Sequence, residues 1–340
     1  MTDKTASPAS IFPAQRSENE MSLLSKIGQF SGWHTVAPPL VFIAMLLVVG
    51  TFNSNYLGPL GVSIATASAA PILLVALGQS MVLNIGSIDL SNAAISLFGA
   101  IMLAMTLPQY GIGSLVLVLV LLTILGAING AILAFTHVPS FALTLGTLGI
   151  LQTAALVVSG SETIYVSENR ELVTILYRSK VLSIPLTFWL GVGVAVTYWA
   201  LLRLTVIGQH MTAVGKNESG AILSALPTKF VKIFAFALSG FTGGLAGLSI
   251  VAQAGSASAS GLGSALLLPG IAAALVGGTS ISGGLTNPIN VVFGALTVAF
   301  VPIAIQAIGF SAQSQSLVYG VFIIAVVTLT TTRTRGLVIK

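Results

Sequence analysis

Long apolar runs, separated by short stretches rich in Gly, Pro and Asn, dominate the pattern of hydrophobic and polar positions along the chain. A helix needs about 20 mainly apolar residues to cross a bilayer. Continuous runs of this kind differ from the alternating segments of a membrane β-barrel. The pattern therefore predicts an all-α polytopic membrane protein of about ten transmembrane helices. These spans are predicted at 36–53, 60–84, 93–108, 113–135, 141–160, 183–202, 230–252, 262–281, 286–308 and 313–332.

Composition supports this interpretation and excludes several kinds of chemistry. Only 6% of the 340 residues are charged, whereas 55% are hydrophobic, and a soluble domain carries roughly a quarter charged residues. The chain has no cysteine and only three scattered histidines, so we predict no metal site, no cofactor and no catalytic residues. The net charge of +5 is confined to segments that flank the spans, which indicates a membrane surface rather than nucleic acid.

The positions of the charged residues predict the orientation in the membrane. Apart from Asp89, they fall in the N-terminal tail, in 161–180, in 203–232 and in the C-terminal tail. With ten spans and both termini in the cytoplasm, all basic residues except the three in 161–180 lie inside, as the positive-inside rule requires. The segment 161–180 is then a solvated outer loop.

Three domains follow from this arrangement. Residues 1–35 are predicted to form a disordered cytoplasmic tail, in which 23–33 is either a short interfacial helix or a plain linker. Residues 36–332 form the transmembrane domain, and 333–340 form the cytoplasmic C-terminal tail.

The cytoplasmic segment from Gly208 to Pro227 is longer than a tight connection. Asn217 is predicted to cap a two-turn helix with Glu218 in its first turn, and Pro227 is predicted to end it. Several apolar side chains of this helix form a surface that needs a partner. That partner is either the chain's own spans or the groove of another protein.

Asp89 lies in the segment from Gln79 to Ser91, between the second and third spans. An ionised carboxylate inside a bilayer costs about 3 kcal/mol, so it must be held by donors or lie near water. Asn84, Gly86 and Ser91 are predicted to break the helix and to free backbone amides for the carboxylate. Asp89 is then either part of a gate or a cap that fixes the turn. A proton relay is disfavoured because no second acid or base accompanies it inside the membrane.

Glycines and hydroxyl residues alternate between Gly270 and Gly284. A phosphate-binding loop is excluded because it requires a lysine after its last glycine, and no lysine occurs between Lys232 and Lys340. The segment either forms broken helix ends along a permeation path or allows close helix packing. The small residues Ser239, Gly243 and Gly247 are four apart and favour close packing in the same way.

Three blocks, in this order, carry a resemblance to a known family: LGQSMVLNIGSIDLSNAAI at 77–95, VPSFALTLGTLGI at 138–150, and the stretch from VGKNESGAILSALPTKFVKIFAFALSG to IAAALVGGTSISGG at 214–284. The chain resembles the permease subunits of ribose-type (monosaccharide) ATP-binding-cassette importers from about residue 40 to 332. The resemblance implies a bacterial inner-membrane protein that pairs with itself or with a sister permease. It also implies a cytoplasmic ATPase and a periplasmic sugar-binding protein as partners.

The resemblance further implies roles for particular residues. The helix that couples the permease to the ATPase is expected to include Gly215, Asn217, Glu218, Ala221, Leu223, Ser224 and Leu226. Independently of the resemblance, the polar residues and glycines within or beside the spans make the following residues candidates for the gate or translocation path: Gln79, Asn84, Asp89, Ser91, Asn129, Thr144, Gly277, Gly278 and Thr279.

The expected function is the permease subunit of an importer for a sugar or sugar-like solute, driven by a separate ATPase. The alternative is a secondary transporter of a small neutral solute that uses an ion gradient, for which Asp89 alone could supply the coupling carboxylate. The chain itself is not expected to be an enzyme because it has no ATPase motif.

Overall fold

Helices account for most of the structure, a computed structural model that describes residues 33–52, 54–136, 138–259, 264–307, 317 and 319–321. The helices are α1 (Trp33–Phe52), α2 (Pro59–Asn84), α3 (Asn92–Tyr110), α4 (Ile112–Phe135), α5 (Ser140–Ser159), α6 (Glu171–Arg178), α7 (Leu186–Leu204), α8 (Val206–Lys216), α9 (Glu218–Leu223), α10 (Thr228–Ala254), α11 (Leu267–Val276) and α12 (Pro288–Ala307). Short 3-10 helices cover Ser54–Leu57 and Ser264–Leu266. Two antiparallel pairs of short strands join β1 (Thr163–Tyr165) to β4 (Ser256–Ser258) and β2 (Lys180–Val181) to β3 (Ile184–Pro185).

Seven of the described helices are long and apolar enough to cross a membrane: α2, α3, α4, α5, α7, α10 and α12. They confirm an all-α polytopic membrane protein and correspond to seven of the predicted spans. In α1, the apolar part Val36–Phe52 is somewhat shorter. The predicted span at 313–332 and the tails at 1–32 and 333–340 lie outside the described residues, apart from four positions between 317 and 321.

The predicted span at 262–281 is wrong as a single helix. The structure has a 10-residue helix, α11, in this region, and at 1.5 Å per residue it is about 15 Å long, half the thickness of the hydrocarbon core. The sequence is apolar here because α11 is buried against α2 and α12. Burial in protein and burial in lipid select the same residue types, so the composition did not separate the two.

The helices alternate between two ends of the bundle. At one end, the Gly284 amide donates to the Asn84 carbonyl oxygen, and the Ile88 amide donates to the Ser140 hydroxyl. This end also carries α8 and α9, because α7 ends and α10 begins there. At the opposite end, β1 pairs with β4, and Asn169 donates to the Leu107 carbonyl oxygen at 3.2 Å.

Helix α10 lies at the centre of the bundle, where it packs against α2, α3 and α4. Glycines allow these contacts: a Cβ added at Gly240 would overlap the carbonyl oxygen of Leu122, and one added at Gly247 would lie 2.7 Å from the carbonyl oxygen of Ser96. Small residues let helix backbones approach closely within a bilayer. The prediction that this stripe serves packing is therefore confirmed.

Candidate functional site

The α2–α3 connection is the first part of the candidate site. Helix α2 ends at Asn84, and residues 85–91 form a non-helical turn before α3 begins at Asn92. Gly86 adopts a left-handed backbone conformation, with φ of +75°. The predicted helix break is therefore confirmed.

Asp89 lies in this turn and is almost fully buried, at 1% exposure. Its Oδ1 atom accepts hydrogen bonds from the Ser91 amide at 2.9 Å and the Ser91 hydroxyl at 2.5 Å. Its Oδ2 atom accepts one from the Ser239 hydroxyl on α10 at 2.7 Å. All three of these groups are donors, which is the arrangement that an ionised carboxylate requires.

The carboxylate is the centre of a larger polar network that joins the α2–α3 turn to four helices. The Asn129 amide on α4 donates to the Ser91 hydroxyl at 3.0 Å, and the Thr147 hydroxyl on α5 donates to the Asn129 Oδ1 atom at 2.8 Å. On the other side, the Asn92 amide donates to the Ser239 hydroxyl at 2.6 Å. We define Asp89, Ser91, Asn92, Asn129, Thr147 and Ser239 as the Asp89 network.

Thr144 holds the same turn from α5. Its hydroxyl oxygen accepts a hydrogen bond from the Leu90 amide at 3.0 Å, one turn along the helix from the Ser140 hydroxyl that accepts from Ile88. The structure therefore brings four predicted gate residues, Asp89, Ser91, Asn129 and Thr144, into one buried region.

Gln79 and Asn84 lie on α2 and are also buried, each at 1% exposure. Among the described residues, the Gln79 Nε2 atom and both polar side-chain atoms of Asn84 have no hydrogen-bond partner. They therefore do not belong to the Asp89 network.

The other three predicted path residues follow α11. Gly277 allows α12 to approach closely, since a Cβ there would lie 2.6 Å from the Val291 Cα atom. Gly278 has a φ of +85° and reverses the chain, and the Thr279 hydroxyl lies 2.8 Å from that of Thr286. The close helix packing predicted for this segment is therefore confirmed, and the helix also ends here, whereas its role in a permeation path stays a prediction.

The predicted coupling segment forms two helices instead of one. Gly215 belongs to α8, and α9 covers only Glu218–Leu223, so the predicted extension of one helix from Gly215 to Leu226 is wrong. The chain bends at Asn217, which has an extended backbone conformation. Ala225, with φ of +56°, ends the segment two residues before Pro227.

The local prediction for Asn217 is confirmed. Its side-chain Oδ1 atom accepts a hydrogen bond from the Gly220 amide at 3.0 Å, which caps α9. Glu218 in the first turn forms an ion pair of 2.6 Å with Lys232 on α10. The cap fixes the start of α9, and the ion pair joins α9 to α10.

One face of α9 is exposed in the part of the chain that the structure describes. Ala221 is buried at 5% exposure, whereas Ile222 is 56% and Leu223 is 89% exposed. Ser224 is exposed and Leu226 is half-buried. An exposed leucine and isoleucine on a short, fixed helix form an apolar surface at the same end of the bundle as the Asp89 turn.

The family described as branched-chain amino acid transport system / permease component matches residues 61–327. The chain belongs to this family of membrane permeases. A permease of this kind is expected to bury polar residues inside a helical bundle, as the structure does. The expected resemblance to importer permeases is confirmed.

Three relatives of this permease cover most of its length. A ribose import permease protein of Haemophilus influenzae is 30% identical over 292 residues, which is 85% of this chain and 90% of the relative. An autoinducer 2 import system permease protein of Photorhabdus temperata is 28% identical over 88% of this chain and 92% of its own length. A D-allose transport system permease protein of Escherichia coli K12 is 28% identical over 85% of this chain and 90% of its own. The comparison with solved structures found no match.

Sequence reasoning missed Ser239, Thr147 and Asn92 in the Asp89 network, and Lys232 beside Glu218. Ser239 was noticed only for its small size. Ser239 is a polar side chain on an otherwise glycine-rich face of a buried helix. That position was the signal that could have indicated Ser239 as a partner for Asp89.

Proposed function

We propose that the permease is the membrane subunit of a bacterial inner-membrane ATP-binding-cassette importer for a sugar or sugar-like solute. The observation that carries the ATP-driven part is the exposed apolar face of α9, on which Leu223 is 89% exposed. The names of the relatives, which refer to ribose, D-allose and autoinducer 2, support the solute class.

The orientation that we propose places both termini and α9 in the cytoplasm. Arg203, Lys216, Lys229 and Lys232 lie in or beside the segment that contains α8 and α9, and basic residues are enriched on the cytoplasmic side of membrane proteins. The end formed by β1, β4 and α6 then faces the periplasm. A periplasmic sugar-binding protein docks on that side and delivers the solute.

In this proposal a cytoplasmic ATPase binds α9 in a surface groove, with Leu223 as the central apolar contact. Closure of two ATPases on ATP moves α9, and a pair of permeases switches between inward-facing and outward-facing states. The second permease is either another copy of this chain or a sister subunit. ATP hydrolysis takes place entirely on the ATPase, so the permease supplies no catalytic residue.

We propose that the Asp89 network has a structural role in the gate, because it holds the α2–α3 turn in place. The carboxylate accepts three hydrogen bonds from the chain itself. This favours a role in fixing the turn over a role in which Asp89 binds and releases an ion during each transport cycle. We assign Gln79 and Asn84 on α2 to the solute path. Within the described ranges, their side chains have buried polar atoms without a hydrogen-bond partner, and such atoms favour water or a polar solute as a partner.

The decisive experiment compares Leu223→Asp with Leu182→Asp. Leu182 is similarly exposed, at 82%, but lies at the opposite end of the bundle. A tag on the permease should retrieve the ATPase from membranes with the wild type and with Leu182→Asp, and should lose it with Leu223→Asp. Retention of the ATPase by Leu223→Asp would exclude the docking role of α9.

Uptake into vesicles tests the energy source. The complex should accumulate radiolabelled sugar only with ATP on the cytoplasmic side and with the binding protein on the other. Saturable uptake by the permease alone, driven by an ion gradient without ATP, would instead support the secondary-transporter alternative.

A further inference from the structure

Three separate backbone segments meet directly beside the C-terminal end of α2. The Gly284 amide donates a hydrogen bond of 2.9 Å to the Asn84 carbonyl oxygen. A Cβ added at Gly215 of α8 would overlap the same carbonyl oxygen and would lie 2.6 Å from the Gly284 nitrogen. A Cβ added at Gly283 would lie 2.6 Å from the Gly215 carbonyl oxygen and 2.9 Å from the Gly86 nitrogen. We call Gly86, Gly215, Gly283 and Gly284 the glycine junction.

The glycine junction connects three parts of the molecule that have different roles in the proposed function. Gly215 lies three residues before α9, the proposed ATPase contact. Gly86 belongs to the turn that holds Asp89, and Gly283 and Gly284 belong to the segment between α11 and α12. Both segments are non-helical, and we call them the two interrupted regions; they can change conformation with a smaller loss of regular hydrogen bonds than the helices around them.

No side chain separates the three backbones at this point. Contacts through long side chains absorb small displacements by a change of rotamer, whereas a backbone that lies directly against another backbone must move with it. The Lys216 side chain also lies across Gly284, where it would overlap an added Cβ. A displacement of the last turn of α8 is therefore passed to the end of α2 and to the α11–α12 segment together.

The other contacts of α8 and α9 lead to regular helices. Gly208 packs against the backbone of Leu201 and Leu202 in α7, and Glu218 is paired with Lys232 in α10. These contacts hold the two cytoplasmic helices in place, but they do not touch either interrupted region. Among the described contacts of α8 and α9, those at Gly215 and Lys216 reach both turns directly.

We infer that the glycine junction, with Gly215 as its central positioning residue, transmits the movement of α9 to the two interrupted regions that open and close the path. This inference rests on the proposed function. It adds the route by which binding at Leu223 reaches the membrane domain. Its central requirement is that residue 215 has no side chain.

Gly215→Ala tests this requirement, with Gly146→Ala as the matched control. Both glycines are helical, but an added Cβ at Gly146 meets no atom within 4 Å. Gly215→Ala should still retrieve the ATPase, because the exposed face of α9 is unchanged. Coupled uptake should fall by about tenfold, the size of effect expected when one methyl group is forced into a close-packed contact. Gly146→Ala should transport like the wild type.

Hydrogen exchange of the wild-type complex provides a test without a variant. Mg²⁺–ATP, compared with ADP, should change the exchange of amides in 84–87 and 280–285 together with those of 217–226. Residues 134–136, at the same end but outside the junction, serve as the internal control. If Gly215→Ala folds poorly, this measurement decides the matter alone.

The outcomes separate failure of the inference from failure of the proposed function. Normal coupled uptake by Gly215→Ala, or a change in exchange confined to 217–226, would overturn the role of the junction while the importer assignment stands. Loss of the ATPase from Gly215→Ala, with Gly146→Ala unaffected, would also overturn it, because the residue would then act in docking. A wild-type permease that retrieves no ATPase would remove the proposed function itself.

Discussion

The Ser239 hydroxyl donates a 2.7 Å hydrogen bond to the Asp89 carboxylate, although the two residues are 150 positions apart in the chain. The bond ties the α2–α3 turn to the central helix α10. Ser239 also accepts from Asn92, so one hydroxyl links the turn and the first residue of α3 to the same point of the bundle. The stability of the turn is thus coupled to the packing of the central helix.

Asp89→Asn should destabilise the permease by about 1–3 kcal/mol, because the new amide group would face donors and leave a buried donor without an acceptor. The measurement is thermal unfolding in detergent. Glu162→Gln, which changes an exposed carboxylate, is the matched control and should unfold like the wild type. Unchanged unfolding by Asp89→Asn with a loss of uptake would contradict the structural role and would favour a moving gate.

Asn217→Ala should weaken binding of the ATPase by about fivefold, because loss of a helix cap costs about 1 kcal/mol and the first turn of α9 would fray. The affinity can be measured by titration of the ATPase onto the permease in nanodiscs. Asn217→Asp keeps a capping oxygen and should bind almost normally. Equal affinities for Asn217→Ala and the wild type would show that the cap does not contribute to docking.

Cysteine labelling should report the orientation, because the native sequence has no cysteine. Ser167 and Ser219 are both exposed but lie at opposite ends of the bundle. In spheroplasts, a membrane-impermeant maleimide should label Ser167→Cys at once and Ser219→Cys only after permeabilisation. The reverse result would invert the proposed topology and place α9 outside the cell.

The sequence predicted local features better than distant ones. The Asn217 cap and the helix break after Asn84 depend on a few neighbouring residues, and the structure confirmed both. The Asp89–Ser239 bond depends on how α10 packs, which no local pattern encodes. The α11 prediction was wrong because an apolar run indicates burial but does not distinguish lipid from protein.

Helix α11 also constrains how the chain can be made. Its 10 residues are too few to cross the hydrocarbon layer, and its unpaired terminal amides and carbonyls would cost several kcal/mol each if they met lipid chains. The translocon therefore cannot release this stretch sideways as an independent unit. It must stay in a protein-lined environment until α12 has been synthesised and packs beside it. Membrane insertion and tertiary folding therefore occur together for this part of the chain.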